Sequence, residues 1–190
     1  MNLPRELQTE RLRLRRWTEA DRAPFASLNS DPRVMEFFPG TLSRQESDAR
    51  ADRIEAHFQE HGFGLWAVAI PGITLFAGFV GLSIPRFEAP FTPCIEIGWR
   101  LAAEHWNRGY ATEGARAALA FAFDALQVEE VVSFTVPANL RSRRVMEKIG
   151  MVHSPRDDFD HPLLPQGHPL RRHVLYRYGR IQSVRERAFR

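Results

Sequence analysis

Lysine is nearly missing from this 190-residue chain. Lys148 stands alone, and every other cation in the Lys+Arg total of 26 is an arginine. Guanidinium groups grip carboxylates and phosphates through paired N–H donors, so the bias is compatible with anion recognition. Arg11, Arg13, Arg15 and Arg16, however, follow an apolar alternation and read equally well as a solvated face. The formal charge of +3 does not indicate nucleic acid by itself, and nucleic acid is disfavoured as a partner. Cysteine is as scarce as lysine: Cys94 alone excludes an internal disulfide framework and any multi-cysteine zinc site. No apolar run is long enough to span a bilayer, and MNLPRELQTERLRL lacks the apolar segment of a signal peptide. The expectation is a cytoplasmic protein with no membrane partner. GxxxxGK and GxGxxG are also absent, which disfavours a P-loop hydrolase and a dinucleotide fold.

What is present is enough for one substantial core, with 44% hydrophobic and 11% aromatic residues. RLRLRRW (Arg11–Trp17) alternates like an edge strand. TEAD (Thr18–Asp21) then resembles a capping box opening a helix to about Leu28, and Pro32 suits the first turn of a short helix. SRQE (Ser43–Glu46) is a second capping box, with a mostly exposed helix behind it. FGLWAVAI and TLFAGFVGLSI, joined by a turn, form a predicted hairpin. CIEIGWRL (Cys94–Leu101) places Ile95, Ile97, Trp99 and Leu101 on one face, with Glu96 and Arg100 on the other. Ala111, Ala115, Ala118, Leu119, Ala122 and Leu126 recur at helical spacing. VVSFTV is a buried strand, NLRSRRVMEKIG is a helix capped by Asn139 and stopped by Gly150, MVHS begins another strand, and RRHVLYRY is a last strand. No repeat and no linker is visible.

The stretch WNRGYATEG (Trp106–Gly114) lies at the start of the alanine-rich helix and has two readings. The first amides of a helix lack intrahelical acceptors and sit at the positive end of its dipole, so an anion is a natural occupant where side chains are small. Gly109 removes an obstruction there, Ala111 and Thr112 are small, and Arg108 adds a cation. The same glycine serves a plain turn equally well.

Several ordered stretches together carry a resemblance: TERLRLRRWTEAD, SDPRVMEFFPG, FAGFVGL, IEIGWRLAAEHWNRGYATEGARAAL and NLRSRRVMEKIGM. They are similar to the GNAT N-acetyltransferases, and within them to the ribosomal-protein-type (Rim-like) branch. The resemblance implies an α/β fold whose single, mostly antiparallel sheet is flanked by helices. It has about six to seven strands and splays open between CIEIGWRL and VVSFTV at the acetyl-CoA site. The domain would cover residues 1–179, followed by a basic tail at 180–190. The implied activity is acetyl-CoA-dependent transfer of an acetyl group to a primary amine, on a protein N-terminus or a small molecule, with no metal. Asn107, Arg108, Gly109, Tyr110, Ala111 and Thr112 would cradle the pyrophosphate. Trp106 stands where many relatives have Gln or Arg. The strand carrying Trp99 and ending at Leu101 would pair with the pantetheine arm, Asn139 would touch that arm, and Arg144 would reach a CoA phosphate or stay solvated.

For the chemistry, the expected base is Glu96, working through water, with a structural pairing to Arg100 as the alternative. Met146 occupies the position of the tyrosine that many relatives use, which leaves Ser142 to steady the leaving thiolate or to be an ordinary polar residue. Cys94 reads as a structural thiol rather than an acyl carrier. His153, His161, His168 and His173 fit no compact ligand spacing. DHPLLPQGHPL is expected to fold over the acceptor site. A non-catalytic acyl-CoA-binding module and a ribosome- or RNA-associated factor are the competing classes. The acceptor's identity and the oligomeric state, a homodimer included, stay open.

Overall fold

The protein is described by a computed structural model over residues 6–180. The expected basic tail therefore lies, apart from Arg180, outside the described residues. Among the described residues nine strands form one mostly antiparallel sheet in the order β1-β2-β3-β4-β5-β6-β9-β7, with β8 on β9. They are β1 (Leu7–Gln8), β2 (Arg13–Arg15), β3 (Leu65–Ile70), β4 (Thr74–Ser83), β5 (Glu96–Leu101), β6 (Glu130–Thr135), β7 (Val152–His153), β8 (Phe159–Asp160) and β9 (Arg172–Gly179). Among the described residues four α-helices accompany them: α1 (Arg22–Ser30), α2 (Arg44–His61), α3 (Tyr110–Asp124) and α4 (Leu140–Lys148). The sheet exceeds the expected six to seven strands because β1 and β8 are two-residue pieces, too short for hydrophobic alternation to mark, while the strand expected at MVHS is present as β7. The chain divides into two compact units, one of residues 1–83 with 98–118, the other of residues 84–97 with 119–190.

In the first unit, β3 and β4 form the expected hairpin, and both are buried along nearly their whole length. Burial on both faces suits their near-continuous apolar sequences. The two capping boxes are present. Ser43 receives the Glu46 amide while its own amide donates to the Glu46 carboxylate at 2.7 Å. At the first box, Asp21 accepts the Thr18 amide at 2.7 Å and two N–H bonds from Arg15, also at 2.7 Å. The shorter Asp, in place of the usual Glu, thus caps a 3-10 turn (Glu19–Asp21) rather than the α-helix, which begins one residue later. Pro32 lies in a run of turns, not in a short helix.

Two further features position β5 and α3. Gly78 sits at φ +134°, and a Cβ there would run into the Arg100 carbonyl and lie 2.8 Å from Leu101 Cα. This close approach lets the Ala102 amide donate to the Ala77 carbonyl at 2.9 Å. The start of α3 is clamped from the N-terminal side. Glu113 accepts the Thr9 hydroxyl at 2.6 Å, the Arg11 amide at 2.9 Å and Arg11 Nε at 2.7 Å, and Arg11 Nη1 donates to the Arg108 carbonyl at 3.0 Å. Within α3, Gly114 faces Val80 and Leu12 closely enough that a Cβ would touch Val80 at 3.3 Å.

In the second unit, β5 and β6 run parallel and share a single register pair, Glu96 with Val132. β9 pairs antiparallel with β6 over six residues, from Glu130–Gly179 to Thr135–Val174. The expected helix caps are there: Asn139 Oδ1 accepts the Ser142 amide at 3.2 Å, and Gly150 follows α4 at φ +86°. Val132, Phe159 and Leu175 form a core against which Phe87, Phe91, Cys94 and Phe134 pack.

Two measurements check these constraints. Gly78→Ala combines a strained backbone with a carbonyl clash and should destabilise the protein by roughly 2–5 kcal/mol in urea unfolding, with Gly72→Ala, where a Cβ meets open space, far milder. Burial pushes the Glu113 carboxyl up, but the bonds from Thr9 and Arg11 outweigh it and hold its pKa below the usual range. A depressed folded value means the clamp is complete at neutral pH and is lost as pH falls below the usual carboxylate range through that lowered value. Glu113→Gln should therefore lower the Tm by roughly 2–4 °C at neutral pH, and its Tm should converge with that of the parent protein in acid.

Candidate functional site

The strand-to-helix turn is built from four adjoining constraints. β5 stops at Leu101, a 3-10 turn covers Ala103–His105, and the Trp106 indole reaches back to donate to the Leu101 carbonyl at 2.8 Å. Trp106, the departure from the Gln or Arg of many relatives, thus braces the turn. Asn107 and Gly109 then take positive φ values of 58° and 83°, and α3 begins at Tyr110. The first helical bond runs from the Glu113 amide to the Gly109 carbonyl at 3.0 Å. The amides of Tyr110, Ala111 and Thr112 precede it and have no acceptor within the helix. Arg108 and Gly109 are exposed, as is Asn107, while Ala111 and Thr112 are half-buried. Tyr110 is buried instead, with the Arg11 guanidinium 4.9 Å from its ring centroid. The arrangement is a ring of small, outward positions around three bare N–H donors at a helix's positive end, which suits a diphosphate.

Along β5, Glu96 is half-buried beside Val132, Trp99 is half-buried, and Leu101 is buried. Arg100, on the same face of the strand as Glu96 by alternation, is buried as well. Its Nη1 donates to Asn29 Oδ1 at 2.5 Å, and among the described residues no carboxylate forms an ion pair with it. The alternative in which Glu96 neutralises Arg100 is therefore not realised. Burial, with the charges of Glu96 and Glu130, pushes the Cys94 thiol up to about 11, so it stays protonated and is no nucleophile at neutral pH.

On α4 and its approach, Asn139 is committed on both sides. Its carbonyl caps the helix, and its Nδ2 donates to Thr135 Oγ1 at 3.0 Å. Ser142 is half-buried one turn on, Arg144 is exposed, and Met146 is buried in the interior. The Met146 position thus carries packing rather than a proton donor.

The proline-rich segment between β8 and β9 joins an aromatic cluster. Phe87, Phe134 and Phe159, with Phe91 packed against all three, lie against His161 and His173, whose ring centroids are 5.0 Å apart. Burial lowers the pKa of both imidazoles, and His173 adds to the effect at His161. His153 instead pairs with Asp158 at 2.7 Å. Among the described residues no three His, Cys, Asp or Glu side chains converge to hold a metal ion, and no helix is long and apolar enough to cross a membrane.

Three contributors were not visible in the sequence. Thr9, Arg11 and Glu113 are about a hundred positions apart in the chain, and only the acidic residue in the first turn of α3 hints at the clamp. Asn107 at positive φ is a second, and the Trp106 brace a third.

Comparison with known proteins places this geometry. Residues 11–152 match the model of an acetyltransferase (GNAT) domain. The chain is similar to an uncharacterized protein, YkkB, of Bacillus subtilis, at 33% identity over 81% of this chain and 89% of that one. It is also similar to the FsC-acetyl coenzyme A-N(2)-transacetylase of Aspergillus fumigatus, at 31% identity over 77% of this chain and 65% of that one. Among solved structures it resembles the acetyltransferase of Agrobacterium tumefaciens, with 28% identity, a TM-score of 0.74, and 95% of this chain and 96% of that one covered. With the mixed sheet, the bare helix start and these matches in agreement, the chain belongs to the GNAT acetyltransferase family and is an N-acetyltransferase.

Proposed function

We propose that the acetyl donor is acetyl-CoA and that the group passes directly to a primary amine, on a protein N-terminus or a small molecule. The observation that supports this most is the trio of amides at Tyr110, Ala111 and Thr112, exposed by Gly109 and lacking helical acceptors. Those donors, with Asn107 and the Arg108 cation, would hold the diphosphate. The β5 backbone from Trp99 to Leu101 would align the pantetheine arm as an added strand. Asn139, whose polar groups are already engaged, would touch the arm through its helix-start position, and Arg144 is free to meet an outer phosphate. The sequence match over IEIGWRLAAEHWNRGYATEGARAAL favours the ribosomal-protein-type branch of the family.

The bound thioester supplies an activated carbonyl. The amine nitrogen attacks the carbonyl carbon, the carbon–sulfur bond breaks, and the electron pair leaves on sulfur. The attacking nitrogen must lose a proton, and Glu96 is assigned as the acceptor through a water, since it is the carboxylate on β5 next to the point where β5 and β6 cease to pair. A backbone N–H near the end of β5 would stabilise the oxyanion. Ser142 would donate a hydrogen bond to the leaving thiolate. Its pKa is too high for full protonation of the thiolate to be its main contribution.

Gly109→Ala forces a side chain into φ +83° and toward Arg11 Nη2 at 3.3 Å, so calorimetry should show acetyl-CoA binding weakened about 10-fold. Glu96→Gln should lower kcat/KM by roughly 10²–10⁴-fold and remove the rising acid limb of the pH–rate profile, with acetyl-CoA affinity unchanged. A retained limb would take Glu96 out of the mechanism.

A further inference from the structure

Arg100 is a buried cation for which the fold supplies no anion. It is 5% exposed, on the face of β5 that meets Asn29 of α1, a fully buried residue that itself donates to Ser47 of α2 at 2.9 Å. The Phe38 ring covers the guanidinium at 4.0 Å and Phe79 lies at 5.5 Å. One amide oxygen and two ring faces are the hydrogen-bond and ring partners of its side chain among the described residues. Its Nε is buried with no acceptor, and no acceptor is assigned to Nη2 on the same edge. Nor is the surrounding field compensating: the charge that acts on Arg100 is a second cation, Arg50 of α2.

A charge removed from water without a partner costs several kcal/mol, and one neutral acceptor recovers only part of it. Leucine or methionine at this position would avoid that cost, so the guanidinium has a use that the free protein does not display. The Nε–Nη2 edge presents two parallel N–H donors at the spacing of a carboxylate's two oxygens. Access is one ring deep. Phe38 belongs to the turn-rich segment between α1 and α2 and is 37% exposed, so its outer side meets solvent while its inner side meets the guanidinium.

We propose that Arg100 is the recognition point for a carboxylate carried by the amine acceptor, which makes the acceptor class amino acids or amino-acid conjugates. This rests on the acetyl-transfer reading above for the word acceptor, but not for the anion site. The planar edge, with Nη1 already given to Asn29, offers two donors, which match a carboxylate and leave a phosphate short of partners. Arg50 strengthens the positive field. Burial and the Arg50 charge together push the Arg100 pKa down to about 9, so the group is still a cation at neutral pH and binding of an anion would raise it.

Two readouts test this on the full chain. In the first, the Nε–H resonance of Arg100, assigned by its loss in Arg100→Lys, is titrated with sodium acetate, acetamide and inorganic phosphate. A saturable shift with acetate and none with isosteric acetamide is expected. Equal responses to acetate and acetamide, no response to either, or a response to phosphate alone would each overturn the proposal. In the second, initial rates are compared between amino acids and their C-terminal amides. The parent protein should favour the carboxylate form by roughly 30-fold or more in kcat/KM, and Arg50→Gln and Arg100→Lys should each shrink that ratio. A preference for the amide would overturn the acceptor assignment. If acetyl-CoA proves not to bind by calorimetry, the transfer reading and with it the acceptor assignment fail, while the acetate titration still decides whether Arg100 is a carboxylate site.

Discussion

The structure depends on keeping three backbone N–H groups without partners at the start of α3. A helix terminus normally satisfies such donors with a capping side chain, as Ser43 does for α2 and Asn139 for α4. At α3 the positions ahead of the helix are instead Asn107, Arg108 and Gly109, two of them at positive φ. The conformation is held from outside the helix. Arg11 ties down the Arg108 carbonyl, Glu113 anchors Arg11 and Thr9, and the Trp106 indole fixes the turn to the end of β5. The neighbouring Arg108 carbonyl, Glu113 carboxylate and Trp106 indole are thus already paired, while the three amides have no acceptor within the helix.

The same logic of close backbone approach recurs one strand away. Gly78 lets β4 come against the Arg100–Leu101 backbone, which fixes where β5 ends and therefore where the turn begins. α1 and α2, joined through Asn29 and Ser47, then enclose the Arg100 side chain. One strand thus serves two tasks. Its C-terminal backbone leads into the phosphate-type turn, and its side chains offer a half-buried carboxylate at Glu96 and a buried guanidinium at Arg100.

The parts of this that were legible in the sequence are those written in local patterns. Both capping boxes, the β3–β4 hairpin, the alanine-lined α3 and the Asn139 cap each depend on residues within a few positions of one another, and each formed near its expected place. The short strands β1 and β8 carry no periodicity, and Pro32 mimicked a helix start in a segment that only turns. Arg100 misled for a different reason. Alternation along β5 put it on the face opposite Ile97 and Leu101 with Glu96 as a possible partner, but its side chain is buried against Asn29 of α1, and no local signal says so. The Arg11–Glu113 clamp escaped because its partners meet only through the fold.

The central claim is that the amides of Tyr110, Ala111 and Thr112 hold the diphosphate of coenzyme A. A 15N-resolved titration of the protein with acetyl-CoA reads those three groups individually. The account predicts that they show the largest downfield amide-proton shifts in the first unit and saturate together. Saturable binding that leaves all three resonances in place would contradict it.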